Sequence, residues 1–318
     1  MEKKYIFGID AGGTKVAYGL FDREGVLLDK YQHPTDIEAD GQAFCEQIIG
    51  TIRKILEEHR AGLSEVYGVG ICMPSYIRFE SGYIHMTSAM VNIKDFAMRS
   101  YLEERLGVKV ILDNDSNAAA LAEFRRGAGR GLKNMVYMAV STGIGSGIII
   151  NGDLFRGSYG WAGESGHMLD TPDDGILCGC GNYGCFMSQI SGRNLPKRLG
   201  IRLLKGKESV LADAGERGGE ALLEAVQKGD ELAKEELAHM AHHLAVCVYN
   251  IYQLLNINVF VFGGGLTNFG ESLFGPVREE FDRYDHIKMP VEFRFAELKK
   301  DFGIIGAAEL LRPVLSEN

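Results

Sequence analysis

The sequence predicts an α/β protein made of two similar halves, and three observations lead there. An apolar strand, a polar glycine-rich turn and a second apolar strand open the chain, with the turn at residues 10–15. The same arrangement recurs about 130 residues later, with its turn at 141–147. Between and after the two copies, helical periodicity alternates with short buried-strand runs.

The elements follow in order. Residues 5–9, 16–21 and 26–31 read as strands joined by the turns 10–15 and 22–25, an antiparallel meander. Phe44, Ile48, Ile52, Ile55 and Leu56 recur at helical spacing, and 66–71 reads as a buried strand. A helix over 96–106 leads to a strand over 108–112, which ends in Asp113-Asn114-Asp115 ahead of a helix starting near Asn117. The second meander runs through 135–140, the turn 141–147, 148–150, the turn 151–153 and Leu154. A long helix over 234–255 enters a strand over 259–262 and the triplet Gly263-Gly264-Gly265, and 302–308 reads as a turn entering a last helix. The chain has only seven prolines and no low-complexity linker, so the halves are expected to pack across a cleft with a short hinge.

Composition narrows the function. With 318 residues, 46% hydrophobic and 24% charged, the chain can bury the cores of two globular domains. A net charge of −9, with no block of Lys or Arg, gives no footprint for nucleic acid. No run of eighteen apolar residues is present, and Met1-Glu2-Lys3-Lys4 does not lead into a signal-peptide core, so a cytoplasmic protein without a membrane partner is expected. The 41 glycines, nearly double ordinary usage, call for tight turns or close backbone approaches to a ligand.

Phosphate binding needs backbone N–H groups converging on one point, and both glycine-rich turns can supply them. Neither is a Walker loop, and neither opens a helix as a dinucleotide fingerprint does. In Asp113-Asn114-Asp115 one carboxylate could be a helix N-cap, but not both. Asp115 is the candidate to accept the proton of an attacking hydroxyl, and Asn114, with a donor and an acceptor, suits a sugar hydroxyl. His167, Cys178, Cys180 and Cys185 have the spacing of a closed, structural zinc site that would steady the loop holding Glu164 and His167. Cys45, Cys72 and Cys247 stand alone in apolar surroundings and read as buried free thiols.

Taken together and in order, these motifs resemble the ROK family of sugar kinases and related repressors. The resemblance rests on 10–15 (Asp-Ala-Gly-Gly-Thr-Lys), 113–117, 141–147, Gly163-Glu164-Ser165-Gly166-His167, 178–185, 263–265 and 303–307. It implies a duplicated ribonuclease-H-like fold of the actin/hexokinase type, with ATP and sugar meeting in a central cleft. A small lobe would span 1–116, with the C-terminal helix 303–318 packed back on it, and a large lobe 117–302 would carry the zinc loop. The resemblance further implies Asp115 as general base, with Asn114, Glu164 and His167 on sugar hydroxyls. Asp10, Gly12, Gly13, Thr14, Thr142 and Gly143 would face the ATP phosphates, and Gly264 and Gly265 would lie near the nucleotide. Mg²⁺ would accompany ATP, Zn²⁺ would be structural, and the chain would form a homo-oligomer, a dimer or tetramer. The implied reaction is phosphorylation of a glucose-like aldohexose, at O6.

Two departures bear on the sugar. Many family members read Cys-Leu-Glu where this chain has Cys185-Phe186-Met187, so a carboxylate usually aimed near the anomeric end is missing. Pro74-Ser75 and the stretch 87–92 also differ from the family pattern. Allose, an N-acetylated amino sugar or a β-glucoside are therefore alternative acceptors, as is glucose bound less tightly. From another class, a catalytically silent sugar sensor or a repressor competes. The repressor reading is disfavoured because strand 5–9 leaves no room ahead of it for a helix-turn-helix.

Overall fold

In the computed structural model, which describes residues 3–173, 175–212 and 217–312, the opening meander forms as the apolar runs require. β1 (Tyr5–Ala11) and β2 (Lys15–Phe21) pair antiparallel, and β3 (Leu27–Pro34) pairs with β2. β1 and β2 are buried nearly throughout, whereas β3 alternates between exposed and half-buried positions as an edge strand does. α1 (Gly41–Glu58) starts at Asp40, whose carboxylate accepts from the Ala43 N–H, and it buries the predicted face of Phe44, Ile48, Ile52, Ile55 and Leu56. β4 (Val66–Met73) then runs parallel to β1. β5 (Ser75–Arg78), β6 (Tyr83–Thr87) and β7 (Lys94–Phe96) make a small separate sheet. The helix expected over 96–106 is shorter, α2 (Met98–Leu106), because Phe96 belongs to β7. β8 (Lys109–Asn114) lies parallel to β4 and passes directly into α3 (Asp115–Arg126), giving a first main sheet of order β3-β2-β1-β4-β8.

The second half repeats that order. β9 (Met135–Val140), β10 (Ile144–Ile150) and β11 (Asp153–Phe155) are followed by α4 (Phe186–Ile190), α5 (Leu195–Leu204), α6 (Gly219–Gln227) and α7 (Glu231–Leu255). β12 (Val259–Gly263), α8 (Glu271–Tyr284) and β13 (Glu292–Phe295) complete a sheet of order β11-β10-β9-β12-β13, in which β12 is parallel to β9 and β13. The second turn is shorter than expected, since Ile144 already begins β10 and only 141–143 are left outside strands. Gly145 and Gly147 lie inside that strand, where their apparent turn character misled. α7 begins three residues before 234 because Asp230 caps it through the Ala233 N–H.

The last element refines another expectation. Residues 302–308, read as a turn entering a last helix, are helical throughout as α9 (Phe302–Glu309), which begins within one residue of the helix expected from 303. α9 packs against β1, β2, β4 and α3. The approach is backbone to backbone: a Cβ at Gly8 or Gly70 would collide with the carbonyls of Ile304 or Ala307. Part of the glycine excess is therefore spent on packing one helix against two strands.

The described residues fall into two units. The first takes its residues from Met1–Lys133, Gly147–Ala162 and Glu297–Asn318, the second from Asn134–Ser146 and Gly163–Ala296. This differs from a division at 116 and 302, because α3 and the segment 147–162 cluster with the first sheet and its helix α9. Residues 313–318 of the expected C-terminal helix lie outside the described residues.

Candidate active site

The sequence-predicted residues form two groups, one in each unit. In the first unit, β8 passes into α3 without a loop, which places 113–115 at a strand end and a helix start together. The N-cap is Asn114, not an aspartate: its Oδ1 accepts from the Ser116 N–H at 2.8 Å. Its Nδ2 donates to the Ser75 carbonyl at 3.4 Å, so the amide keeps one further donor hydrogen and one acceptor lone pair.

The two carboxylates have separate fates. Asp113 is buried and spends both oxygens within the protein. Its Oδ1 accepts from the Asn114 N–H (2.8 Å) and from Asn117 Nδ2 (2.7 Å), and its Oδ2 from Arg156 Nε (2.8 Å). The Arg156 guanidinium in turn lies 3.6 Å from the Phe79 ring centroid. Asp115, the first residue of α3, keeps some accessible surface and accepts from the Ser116 N–H at 2.9 Å and from its own backbone N–H, with no side-chain donor among the described residues. Its desolvation, and next the nearby charge of Asp10, push its carboxyl up to about 6. A carboxylate tuned to that range suits proton acceptance near neutral pH.

Asp10, the penultimate residue of β1, is raised by burial, an effect partly offset by the Cys72 thiol and the charge of Lys15. Cys72 Sγ lies 3.7 Å from Asp10 Oδ1 and also donates to the Gly303 carbonyl, so this thiol is buried as expected but also touches the acidic group. The turn after Asp10 exposes Gly13 and Thr14. It is tied by the Gly12 N–H to Lys15 carbonyl bond (3.0 Å) and by Thr35, whose hydroxyl donates to the Gly12 carbonyl (2.6 Å).

In the second unit the short turn 141–143 meets the end of β12. The Gly265 N–H donates to Ser141 Oγ at 3.3 Å, so Thr142, Gly143, Gly264 and Gly265 are brought together. Met187 sits under this turn, its Sδ accepting from the Ile144 N–H at 3.3 Å. Its thioether also faces Gly143 and Gly166, which places apolar surface beside this turn. Glu164 precedes a single helical turn at Ser165–His167 and its carbonyl accepts from the His167 N–H. Gly163, at φ +94°, pins this loop to β10: its carbonyl accepts from the Ser146 N–H, and a Cβ there would collide with the Ser146 carbonyl.

His167, Cys178, Cys180 and Cys185 converge, with their donor atoms all within 4.8 Å of one another. Cys178 Sγ lies 3.7 Å from His167 Nδ1, and Cys180 Sγ lies 3.6 Å from Cys185 Sγ. Zn–S bonds of about 2.3 Å in a tetrahedron imply S···S edges of about 3.8 Å, so the donor set fits a tetrahedral ion. Burial lowers the His167 imidazole, favouring the neutral form that a metal requires.

Sequence reasoning did not find Arg156. It lies 43 residues from Asp113 in a turn that carries no motif, and only the folded chain brings the two together. Asp113 was seen in the sequence, but the signal could not tell which carboxylate was structural.

The sequence profile of the ROK family matches residues 6–313. A glucokinase of Halalkalibacterium halodurans is 32% identical over 98% of this chain and 96% of its own length. Among solved structures, a ROK hexokinase from Thermus thermophilus aligns with a TM-score of 0.84 at 30% identity, covering 99% of this chain and 100% of that one. A ROK glucokinase from Streptomyces griseus, determined in complex with glucose and AMPPNP, aligns with a TM-score of 0.78 at 30% identity over 97% of this chain and 99% of that one. The duplicated α/β fold of the actin/hexokinase type is the fold of this chain. With these motifs, this sheet order and this whole-length similarity, the chain belongs to the ROK family.

Proposed function

We propose that the protein is an ATP-dependent hexose kinase in which Asp115 is the general base. The observation that carries this reading is the division of labour in 113–115. Asp113 is consumed by structure, while Asp115 is left with a carboxyl raised to about 6 at the start of α3. The whole-length similarity to glucokinases supports a hexose as acceptor.

The sugar hydroxyl, at O6 of a glucose-like aldohexose, donates its proton to Asp115 as its oxygen bonds to the γ-phosphorus of ATP. The bond from that phosphorus to the bridging oxygen breaks and ADP leaves. Asn114, Glu164 and His167 hold other sugar hydroxyls. The N–H groups of Gly13 and Thr14 and those of Thr142 and Gly143 donate to phosphate oxygens, with Gly12, whose own N–H is held by the Lys15 carbonyl, shaping the first turn beside them, while Gly264 and Gly265 border the nucleotide. Asp10 is the carboxylate that would face a Mg²⁺ accompanying ATP, which would spread the phosphate charge. His167, Cys178, Cys180 and Cys185 would hold a zinc ion, and four protein donors would give it a structural role, cross-linking the loop. Among the described residues no helix is long and apolar enough to cross a membrane. The assembly implied by family membership is a homo-oligomer.

The test is a coupled ADP-release assay with Mg-ATP and a panel of glucose, allose, mannose, fructose, N-acetylmannosamine, N-acetylglucosamine and cellobiose. Sugar-dependent ADP release is the expected result. Silence across the panel with ATP bound would replace the kinase with a sugar sensor.

A further inference from the structure

A cluster of aromatic rings in the first unit is used by neither the phosphate turns nor the carboxylates. Tyr76 on β5, His85 on β6, and Tyr159 and Trp161 in the turn 157–161 pack ring against ring. Tyr76 and Trp161 have centroids 5.4 Å apart at 85°, His85 and Trp161 5.5 Å apart at 90°, and Tyr159 and Trp161 5.6 Å apart at 35°. Tyr83 extends the row through His85 at 5.1 Å. Such packing is ordinary inside a core, but here Tyr159 is 62% exposed and Trp161 37%.

The arrangement is built, not incidental. Gly160, at φ +92°, sits where a Cβ would come within 2.5 Å of the Ile77 carbonyl, so the turn lies tightly on β5. The Ala162 N–H closes the turn on the Arg156 carbonyl at 3.0 Å, and the Arg156 side chain is fixed by Asp113 and Phe79. Rings that are already immobilised lose little entropy on binding while their apolar surface is still wet. A flat ligand ring gains most by covering such a surface.

Position says what that ring belongs to. Tyr76 directly follows Ser75, whose carbonyl receives the side-chain amide of Asn114, the group assigned above to a sugar hydroxyl. The rings carry no formal charge, and the carboxylate hydrogen-bonded to them, Asp95, accepts from the Tyr83 hydroxyl at 3.4 Å, so the cluster offers no cation to an anionic ligand. Tyr hydroxyls, an indole N–H and an imidazole rim the apolar faces, matching a pyranose with its C–H face and its rim of hydroxyls. We propose that this cluster is a second saccharide subsite, which stacks on a pyranose ring glycosidically linked to the hexose being phosphorylated. The preferred acceptor is then a disaccharide. This inference rests on the hexose-kinase reading.

Trp161 is the sole tryptophan of the 318 residues, so its fluorescence in the full chain reports the subsite without reference to turnover. Saturable change of Trp161 emission with cellobiose, at concentrations where glucose gives none, is the expected result. Kinetically, Trp161→Ala and Tyr159→Ala should each raise the ratio of KM for cellobiose to KM for glucose about tenfold, the loss of roughly one aromatic contact. An aryl β-glucoside titrated in parallel separates sources: a response to it alone, with cellobiose inert, overturns the disaccharide assignment. ADP release from glucose with Trp161 emission unmoved by cellobiose also overturns the subsite, leaving the kinase intact. Emission that saturates with cellobiose while no sugar releases ADP would instead sink the kinase reading and keep the subsite.

Discussion

Asp115 and Asp113 are two residues apart and chemically identical, yet their surroundings give them opposite tasks. Asp113 receives three donors, two of them side chains, and locks β8, α3 and Arg156 together, whereas Asp115 receives backbone N–H groups alone and is destabilised as an anion by burial and by Asp10. The sign of that shift has two consequences. Proton acceptance needs the ionised form, so kcat/KM for the sugar, measured at saturating Mg-ATP, should be level above about pH 6 and fall roughly tenfold per pH unit below it. An acid limb centred near 4 would place the base elsewhere. Because the folded-state carboxyl is raised, its ionisation opposes folding above about pH 6, so Asp115→Asn should melt no lower than wild type at pH 7 and, by direction, higher. Thermal scans of the two proteins check this. At this scale the sequence made Asp115, Asn114 and the Cys/His set legible, because each sits inside a short motif. It could not assign the cap to Asn114 or find Arg156, since both depend on where backbone N–H groups and distant turns end up in space.

Among the elements, α9 shows why local reading fails where glycine has two uses. Gly303 and Gly306 resemble turn residues, but they belong to a helix whose backbone is admitted by Gly8 and Gly70 on the strands beneath. Gly70→Ala should therefore lower stability by about 1–3 kcal/mol, measurable as a lowered Tm, because the neighbouring atom is a carbonyl that cannot swing away. A neutral substitution would mean that α9 is free to shift. The far end of α9 is held by Glu309, which is 1% exposed and takes Arg125, Arg126 and Arg312 at 3.0, 2.6 and 2.7 Å. Burial alone would raise this carboxyl, but the bonds from Arg312 and Arg125 and the charge of Arg126 outweigh it and lower it. A lowered folded-state value contributes stability above the unfolded value of about 4.3, lost as pH falls through the folded one. Glu309→Gln should accordingly cost about 3 kcal/mol at pH 7 and progressively less on acidification below 4, as followed by denaturant titration at several pH values. The Cys/His loop gives a third test at this scale. One zinc per chain by elemental analysis, with a fall of several degrees in Tm on chelation, is expected; a metal-free protein with unchanged melting would reduce the cluster to free thiols.

For the whole molecule, the repeated strand order β3-β2-β1-β4-β8 and β11-β10-β9-β12-β13 is the structural form of the repetition visible in the two glycine-rich turns. That repetition was legible because a strand–turn–strand unit is short and local. The unit boundaries were not, because α3, the segment 147–162 and α9 join the first sheet through contacts far apart in sequence. The measurement that bears most directly on the central claim is the turnover of Asp115→Asn with the best sugar of the panel, alongside that sugar's Kd. We predict a kcat at least about a hundredfold below wild type with sugar affinity largely kept. Near-normal turnover in that variant would contradict Asp115 as the base and the mechanism built on it.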